Sequence, residues 1–323
     1  MRRSKTAPRT RRKKAASAPK KSLSGCDLLS LQELTAAQIT HLLKLAAQVK
    51  AQPKKFRRAL EGKTLALLFE KPSLRTRATF QIGMEQLGGR ALYLSPQEIG
   101  LGTRESVPDV ARNLSRWVDG IMARVFAHRT VVELAEHASV PVINGLSDLV
   151  HPCQALGDYL TLREHKGKLA GLALAWVGDG NNVTHSLLTG AARLGVEMRV
   201  ATPPGYEPDP AVVKAAQQAG GCIRLTHDPA EAVAGADAVY TDVWTSMGQE
   251  AEAETRRQLF RPYQVNGELM RRAKPQALFM HCLPAHRGEE VTDEVMESPN
   301  SVVFDQAENR LHIQKAILLA LMS

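Results

Sequence analysis

Ser73-Leu74-Arg75-Thr76-Arg77 stands just after an apolar run of strand length, Thr64–Phe69, and opens a stretch of helical composition. A strand-to-helix turn of this kind gathers backbone N–H groups, hydroxyls and a guanidinium at the positive end of a helix dipole, which is the chemistry of a phosphate site. Local sequence leaves a second reading equally open, a plain Ser73 N-cap with solvated arginines. Arg124 lies at the carboxyl end of the apolar run Met122-Ala123-Arg124-Val125, where an unpaired charge is costly, so it either meets an acid or faces a ligand. His151-Pro152-Cys153-Gln154 places Pro at the first helical position, holding His151 outside the helix and Gln154 within its first turn. One ring donor and one amide then point from the same helix mouth, although a His-Pro pair alone marks only a helix start.

Three further clusters stand later in the chain. Gly178-Asp179-Gly180-Asn181-Asn182-Val183 follows a strand and invites a dinucleotide reading, but Val183 replaces the third glycine and leaves that fingerprint truncated. Asp242, at a strand end, is either a helix cap or a ligand group, and it opens Asp242-Val243-Trp244-Thr245-Ser246-Met247-Gly248. Cys282, within His281-Cys282-Leu283-Pro284, invites the label of nucleophile, since a thiolate beside basic groups is reactive. A covalent acyl-enzyme would also need a positioned base, and nothing in the neighbourhood demands one.

The elements that must carry these residues alternate. Thr35-x-x-Gln38 reads as a capping box opening a helix through about Val49, with Ile39, Leu42, Leu43 and Ala46 at helical spacing. Strands are expected at Thr64–Phe69, Ala91–Leu94, Gly120–Phe126 and Pro141–Asn144, with a polar loop after the second. The second half repeats the pattern at Leu172–Val177, Glu197–Ala201, Ile223–Leu225, Ala238–Thr241 and Ala277–His281. A helix from Pro152 to about His165 bridges the halves, and a last helix is expected at about His312–Met322. The fold class is therefore α/β, two doubly wound parallel-sheet domains with a cleft between them, where ligands sit at the carboxyl ends of strands.

A chain of 323 residues, 44% hydrophobic, can bury two ordinary cores. Its net charge of +9 belongs to one end: residues 1–25 hold ten Lys or Arg and no acid, leaving 32 basic against 33 acidic residues downstream. That tail has almost no large apolar residue and is expected to be disordered. It reads as a passive tail or upstream start artefact, an organelle transit peptide, or a basic arm for nucleic acid or an anionic membrane. Deleting residues 1–24 and measuring salt-dependent nucleic-acid binding separates an arm from a spacer. The four cysteines, Cys26, Cys153, Cys222 and Cys282, show no metal-ligand spacing and are expected to be free thiols in a reducing compartment. No apolar run reaches membrane-spanning length, so a soluble cytoplasmic protein without membrane contact is expected.

Taken together and in this order, the clusters resemble the signature set of the aspartate/ornithine carbamoyltransferase family, and the Asp242–Gly248 segment resembles its ornithine branch. The resemblance covers roughly Cys26 to Leu321. It implies that Ser73, Leu74, Arg75 and Thr76 hold the phosphate of carbamoyl phosphate, with a Leu74 that lacks the hydroxyl of the family's usual Thr. It further implies that Arg124 reaches phosphate and carbonyl oxygen, that His151 polarises the carbonyl, and that Gln154 and the Leu283 carbonyl hold the carbamoyl nitrogen. Arg310, in Glu308-Asn309-Arg310 ahead of the last helix, would close on the carbamoyl oxygen. Asn182, Asp242, Ser246 and the Met247 backbone would hold L-ornithine, with Cys282 and Asp242 near its side-chain amine. Arg124, His151, Cys282 and Arg310 are then the catalytic set, and neither cofactor nor metal is needed.

The implied divisions are a tail at 1–25, a carbamoyl-phosphate-binding domain at 26–150, an ornithine-binding domain at 151–308, and a C-terminal helix at 309–323 returning to the first domain. Family resemblance also implies a homotrimer in which the loop at about Gln97–Gly102 reaches a neighbour's site. Two alternatives stay open: another amine acceptor such as putrescine or an N-acylated ornithine, against which Asn182, Asp242 and Ser246 argue, and a nucleic-acid-binding module, against which the near-neutral body argues.

Overall fold

A computed structural model describes residues 22–245 and 250–323. Among them the strands are β1 (Thr64–Phe69), β2 (Arg90–Leu94), β3 (Gly120–Arg124), β4 (Val142–Leu146), β5 (Ala173–Val177), β6 (Glu197–Ala201), β7 (Ile223–Thr226), β8 (Ala238–Thr241) and β9 (Leu278–His281). The helices are α1 (Ala36–Ala51), α2 (Leu74–Gln86), α3 (Pro96–Ile99), α4 (Val107–Trp117), α5 (His128–His137), α6 (Pro152–Lys166), α7 (Asn182–Leu194), α8 (Pro210–Gln218), α9 (Pro229–Val233), α10 (Ala253–Phe260), α11 (Gly267–Met270), α12 (Asp293–Met296) and α13 (Val303–Met322).

The strands pair in parallel in two sheets, ordered β2-β1-β3-β4 and β7-β6-β5-β8-β9. Strands β3, β4 and β5 are buried along their whole length, as sheets covered on both faces require. Three apolar clusters fill the layers. One lies against α4 and α5 on the outer face of the first sheet, one against α9, α11 and α12 on the outer face of the second. The largest runs through the middle and joins Leu65 and Leu67 of β1 to Trp176 of β5 by way of α1, α6, α7 and α13. This is the two-sheet α/β architecture expected from the sequence, with α13 packed on α1, α2 and α6.

In each sheet the chain order reverses at one place, between β1 and β3 and again between β5 and β8. At such a switch point the flanking connections leave in opposite directions and open a crevice at the strands' carboxyl ends. The Ser73 turn follows β1, Arg124 ends β3, Asn181-Asn182 follows β5 and Asp242 follows β8. Topology thus aims four of the sequence clusters at the same cleft. Beside Arg124 the β3–β4 register slips, with Ala123 opposite Asn144 and Arg124 opposite Leu146. Gly145 is the extra residue, and a Cβ there would run into the Met122 sulfur.

Several element boundaries differ from expectation: β3 ends at Arg124 rather than Phe126, and β4 runs Val142–Leu146 rather than Pro141–Asn144. The final helix begins at Val303, not near His312, so Glu308-Asn309-Arg310 lies within it rather than ahead of it. It buries Gln306, Asn309, Arg310, Gln314 and Lys315, polar residues that hide an inward face from any count of apolar periodicity. The supposed polar loop after β2 contains α3, opened by a Ser95/Glu98 capping box.

Candidate active site

A cavity of about 410 Å³ opens where the two sheets' switch points meet. Its wall contains Ser73, Leu74, Arg75, Thr76, Arg124, His151, Gln154, Asn182, Asp242, Cys282, Leu283 and Arg310. Ser246 and Met247 lie outside the described residues, as does most of the basic tail. The volume suits one small ligand pair of metabolite size.

The anionic end is built by α2. Ser73 is its N-cap, and its Oγ accepts from the Thr76 N–H at 3.3 Å. That leaves the Leu74 and Arg75 N–H groups of the first turn without an intrahelical acceptor, facing the cavity mouth. Leu74 is 79% exposed, so its side chain lies mostly in solvent at the cavity's edge. Arg77, by contrast, turns away and stacks on Tyr93 at 3.7 Å.

Arg124 and Arg310 are buried, and among the described residues neither forms an ion pair. Burial, followed by the positive charges of Arg310 and Arg75, pulls the Arg124 guanidinium down to about 10. Buried cations without an ion-pair partner are costly unless an anion arrives. Arg310 is fastened from two sides: its guanidinium donates to Gln154 Oε1 and, at 3.3 Å, to Thr76 Oγ1. It therefore ties α13 to α6 and α2.

His151 is buried at the start of α6, and its backbone N–H donates to Ser186 Oγ at 2.7 Å. Burial and the nearby Arg310, Arg124 and Lys71 push its imidazole well below the ordinary histidine range. The ring is therefore neutral near pH 7, and its Nδ1 is buried without a hydrogen-bond partner among the described residues.

At the opposite end, Asp242 accepts from three donors: Asn181 Nδ2 at 2.8 Å, the Val243 N–H at 2.8 Å and the Cys282 thiol at 2.9 Å. It caps no helix. Asn182 begins α7 and donates to the Ser147 carbonyl at 2.6 Å. Leu283 has a φ of 58° and donates its N–H to His281 Nδ1 at 2.9 Å, an uncommon backbone for a branched residue that the histidine holds in place.

The Cys282 thiol is raised well above its ordinary range by burial and by Asp242, so it stays protonated and donates. Cys282→Ser keeps that donor, and we expect turnover within about tenfold of wild type, whereas loss of a covalent nucleophile costs about 10⁴-fold or more. Steady-state kinetics of the variant decide. Ligand atoms of Asp242, His281 and Cys282 lie within 4.8 Å of one another, a metal-like grouping. Each is already committed, the thiol to Asp242 and His281 Nδ1 to Leu283.

Sequence reasoning missed Lys71, Asn181 and His286. Lys71 is 9% exposed, lines the cavity and lies 4.9 Å over the Phe126 ring. Burial and Arg124 lower its ammonium, with Asp148 and Glu70 opposing. The available signal was position: a lysine between a buried strand and a phosphate-type turn. Asn181, as N-cap of α7, orients Asp242, a role hidden by its neighbour Asn182.

A cationic cleft with a helix N-terminus at one end and a buried carboxylate at the other suits a transferase that takes an anionic donor and a cationic acceptor. The chain belongs to the aspartate/ornithine carbamoyltransferase family: residues 26–164 match its carbamoyl-phosphate-binding domain and residues 170–321 its Asp/Orn-binding domain. It is 59% identical over 307 residues to the ornithine carbamoyltransferase of Thermococcus kodakarensis, covering 93% of this chain and 98% of that one. The anabolic ornithine carbamoyltransferase of Pyrococcus furiosus is 58% identical over the same length, 93% of this chain and 98% of that one. Among solved structures, the ornithine carbamoyltransferase of Pyrococcus furiosus superposes with a TM-score of 0.90, covering 93% of this chain and 98% of that one. That of Thermus thermophilus, 54% identical, superposes at 0.85 and covers 92% and 99%.

Proposed function

We infer that this chain transfers the carbamoyl group of carbamoyl phosphate to the side-chain amine of L-ornithine, giving L-citrulline and phosphate by direct amine attack. The observation that carries the reading is the pair of buried guanidinium groups, Arg124 and Arg310, gathered at the start of α2 with no ion-pair partner among the described residues.

In this reading Ser73, Arg75, Thr76 and the Leu74 N–H hold the phosphate. Arg124, His151 and Arg310 surround the carbonyl oxygen, where the tetrahedral carbon places its negative charge, and act as a preorganised oxyanion site. Gln154 and the Leu283 carbonyl hold the carbamoyl nitrogen. Asn182 and Asp242, with Ser246 and the Met247 backbone, hold the amino acid, and Cys282 stands beside its reacting amine. The first sheet and its helices, 26–150, take carbamoyl phosphate, 151–308 take ornithine, and 309–323 return to the first unit.

The attacking amine must be neutral. A free alkyl amine titrates near about 10.4, so kcat/KM for ornithine rises with pH above neutrality, and the neutral His151 adds no limb of its own in that range. A flat profile between about pH 6 and 9 would contradict direct attack by the bound ammonium's conjugate base.

The test of the reaction is citrulline formation with L-ornithine, putrescine, N-acetylornithine and aspartate compared as acceptors. Turnover with ornithine alone supports the assignments around Asp242; preference for another amine retains only the carbamoyl-phosphate half. We also propose a homotrimer, supported by the exposed Leu92, Trp117 and Phe126 around the first sheet, and a cytoplasmic setting, supported by four free thiols. Sedimentation at one chain mass of 35.3 kDa, and recovery in a membrane or organelle fraction, would count against these two. No described helix is long and apolar enough to cross a membrane.

A further inference from the structure

Beneath the cavity floor lies a buried acid that none of the assigned roles uses. Asp158 is fully buried on α6, one turn after Gln154. Three donors converge on its carboxylate: Gln154 Nε2 at 2.8 Å and Gln306 Nε2 at 2.7 Å on Oδ1, and Tyr240 Oη at 3.2 Å on Oδ2. Gln306 also donates to Tyr240 Oη at 2.9 Å and accepts from the His281 N–H at 3.0 Å. A carboxylate that only accepts suits this shell of donors. Burial opposes the charge and pushes the group up to about 7, against those donors and Arg310.

We propose that Asp158 is the positioning residue of the carbamoyl subsite: its carboxylate fixes the orientation of the Gln154 amide and, through Gln306, the strand end that carries Cys282 and Leu283. The inference rests on the proposed placement of the carbamoyl group against Gln154.

An amide has one donating and one accepting end, and only the surrounding network decides which faces the ligand. With Nε2 engaged by Asp158, Oε1 must face Arg310, which donates to it. A flipped Gln154 would set its NH2 against the guanidinium and its carbonyl against the carboxylate, two repulsive contacts at once. Oε1 is thereby presented at the cavity, where an acceptor serves a carbamoyl NH2. Through Gln306 the same carboxylate reaches the backbone of His281, whose ring in turn holds the Leu283 N–H. Both acceptors of the carbamoyl nitrogen, Gln154 Oε1 and the Leu283 carbonyl, are thus referred to one buried group.

The rival is a purely structural polar knot joining α6, β8 and α13. A double-mutant cycle in the full-length enzyme separates the two. Asp158→Asn keeps the volume but offers an NH2 where a donor already points. It should lower kcat/KM for carbamoyl phosphate by about 30- to 100-fold, the scale of an ångström's misplacement, with ornithine KM within about threefold. In a Gln154→Ala background the same change should cost no more than about threefold, because the group it positions directly is gone and only the indirect route through Gln306 to Leu283 remains. Losses that multiply in the double variant, or an equal rise in ornithine KM, overturn the proposal.

If Asp158→Asn does not fold, Tyr240→Phe takes its place in the cycle, removing one donor from Oδ2. It should produce a smaller loss that vanishes in the Gln154→Ala background; a persistent loss, or none in either background, counts against the proposal. Citrulline formation by the wild type is measured alongside. Its absence discards the reaction, and the cycle is then read on carbamoyl phosphate affinity by calorimetry, where the same non-additivity is required.

Discussion

Replacing Arg124 with Gln should abolish most turnover while leaving the fold at least as stable as before. The loss in kcat is expected at about 10³-fold, since one donor of an oxyanion site is worth about 10²- to 10³-fold and Arg124 also serves the phosphate in the proposed reaction. Stability should move the other way. The Arg124 guanidinium sits at about 10, well below its ordinary range, chiefly because it is buried and then because Arg310 and Arg75 repel it. A cation whose folded pKa lies below its unfolded value costs stability whenever it is charged, a cost present at neutral pH and relieved only as pH rises through about 10. That depression corresponds to a penalty of order 3 kcal/mol, on the scale of about 1.4 kcal/mol per pKa unit. A neutral Gln removes it.

Carbamoyl phosphate or inorganic phosphate reverses the balance by supplying the missing negative charge. Wild type should therefore gain thermal stability on adding phosphate, and Arg124→Gln should gain much less. Thermal melts with and without phosphate, beside the kinetics, check all three expectations. A fall of more than about 5 °C in the ligand-free variant, equivalent to a loss of more than 1 kcal/mol, would make Arg124 a structural residue and remove the strain argument.

The same physics explains which parts of this molecule can be read from sequence. Strands buried on both faces are written as short continuous apolar runs, so β1, β3 and β5 are visible, and Gly and Pro punctuate their ends. The residues that follow those strands, Ser73, Asn182 and Asp242, inherit their place in the cleft from topology, because switch points occur where the strand order reverses. What sequence hides is the buried polar layer. Gln306, Asn309 and Arg310 at the start of α13 look like one solvated helix face, yet their partners, Asp158, Thr161 and Gln154, are far away in the chain. Such a layer has no periodic signal of its own. It is satisfied only by contacts between elements, and that is why α13 appeared to begin nine residues too late and why Asp158 was passed over. Lys71 was missed for a related reason: a lysine in a turn is solvated by default, and only the packing of Phe126 and Arg124 around it makes it part of the cavity.

The second large effect is expected at the other end of the cleft, from Asp242→Asn. Asp242 holds three donors in the free protein, and in the proposed reaction it must also meet the α-ammonium of ornithine. Asn keeps the shape but replaces one acceptor oxygen by an NH2, which faces either the Asn181 amide or the paired Cys282 and Val243 donors. Truncating one partner of a buried charged pair costs about 2 to 5 kcal/mol, so kcat/KM for ornithine should fall by about 10²- to 10³-fold. Carbamoyl phosphate affinity, set at the α2 end, should stay within about twofold.

A second readout comes from the neighbouring thiol. Cys282 is held protonated by burial and by the Asp242 charge, so losing that charge lowers the thiol toward its ordinary range. The variant should consequently react faster with a small alkylating reagent at pH 8 to 9, even as it turns over more slowly. Reactivity and catalysis moving in opposite directions is the result that separates a hydrogen-bonding Cys282 from a nucleophilic one. If alkylation and turnover instead rose or fell together, the thiol would belong to the reaction path, and direct amine attack would have to be given up.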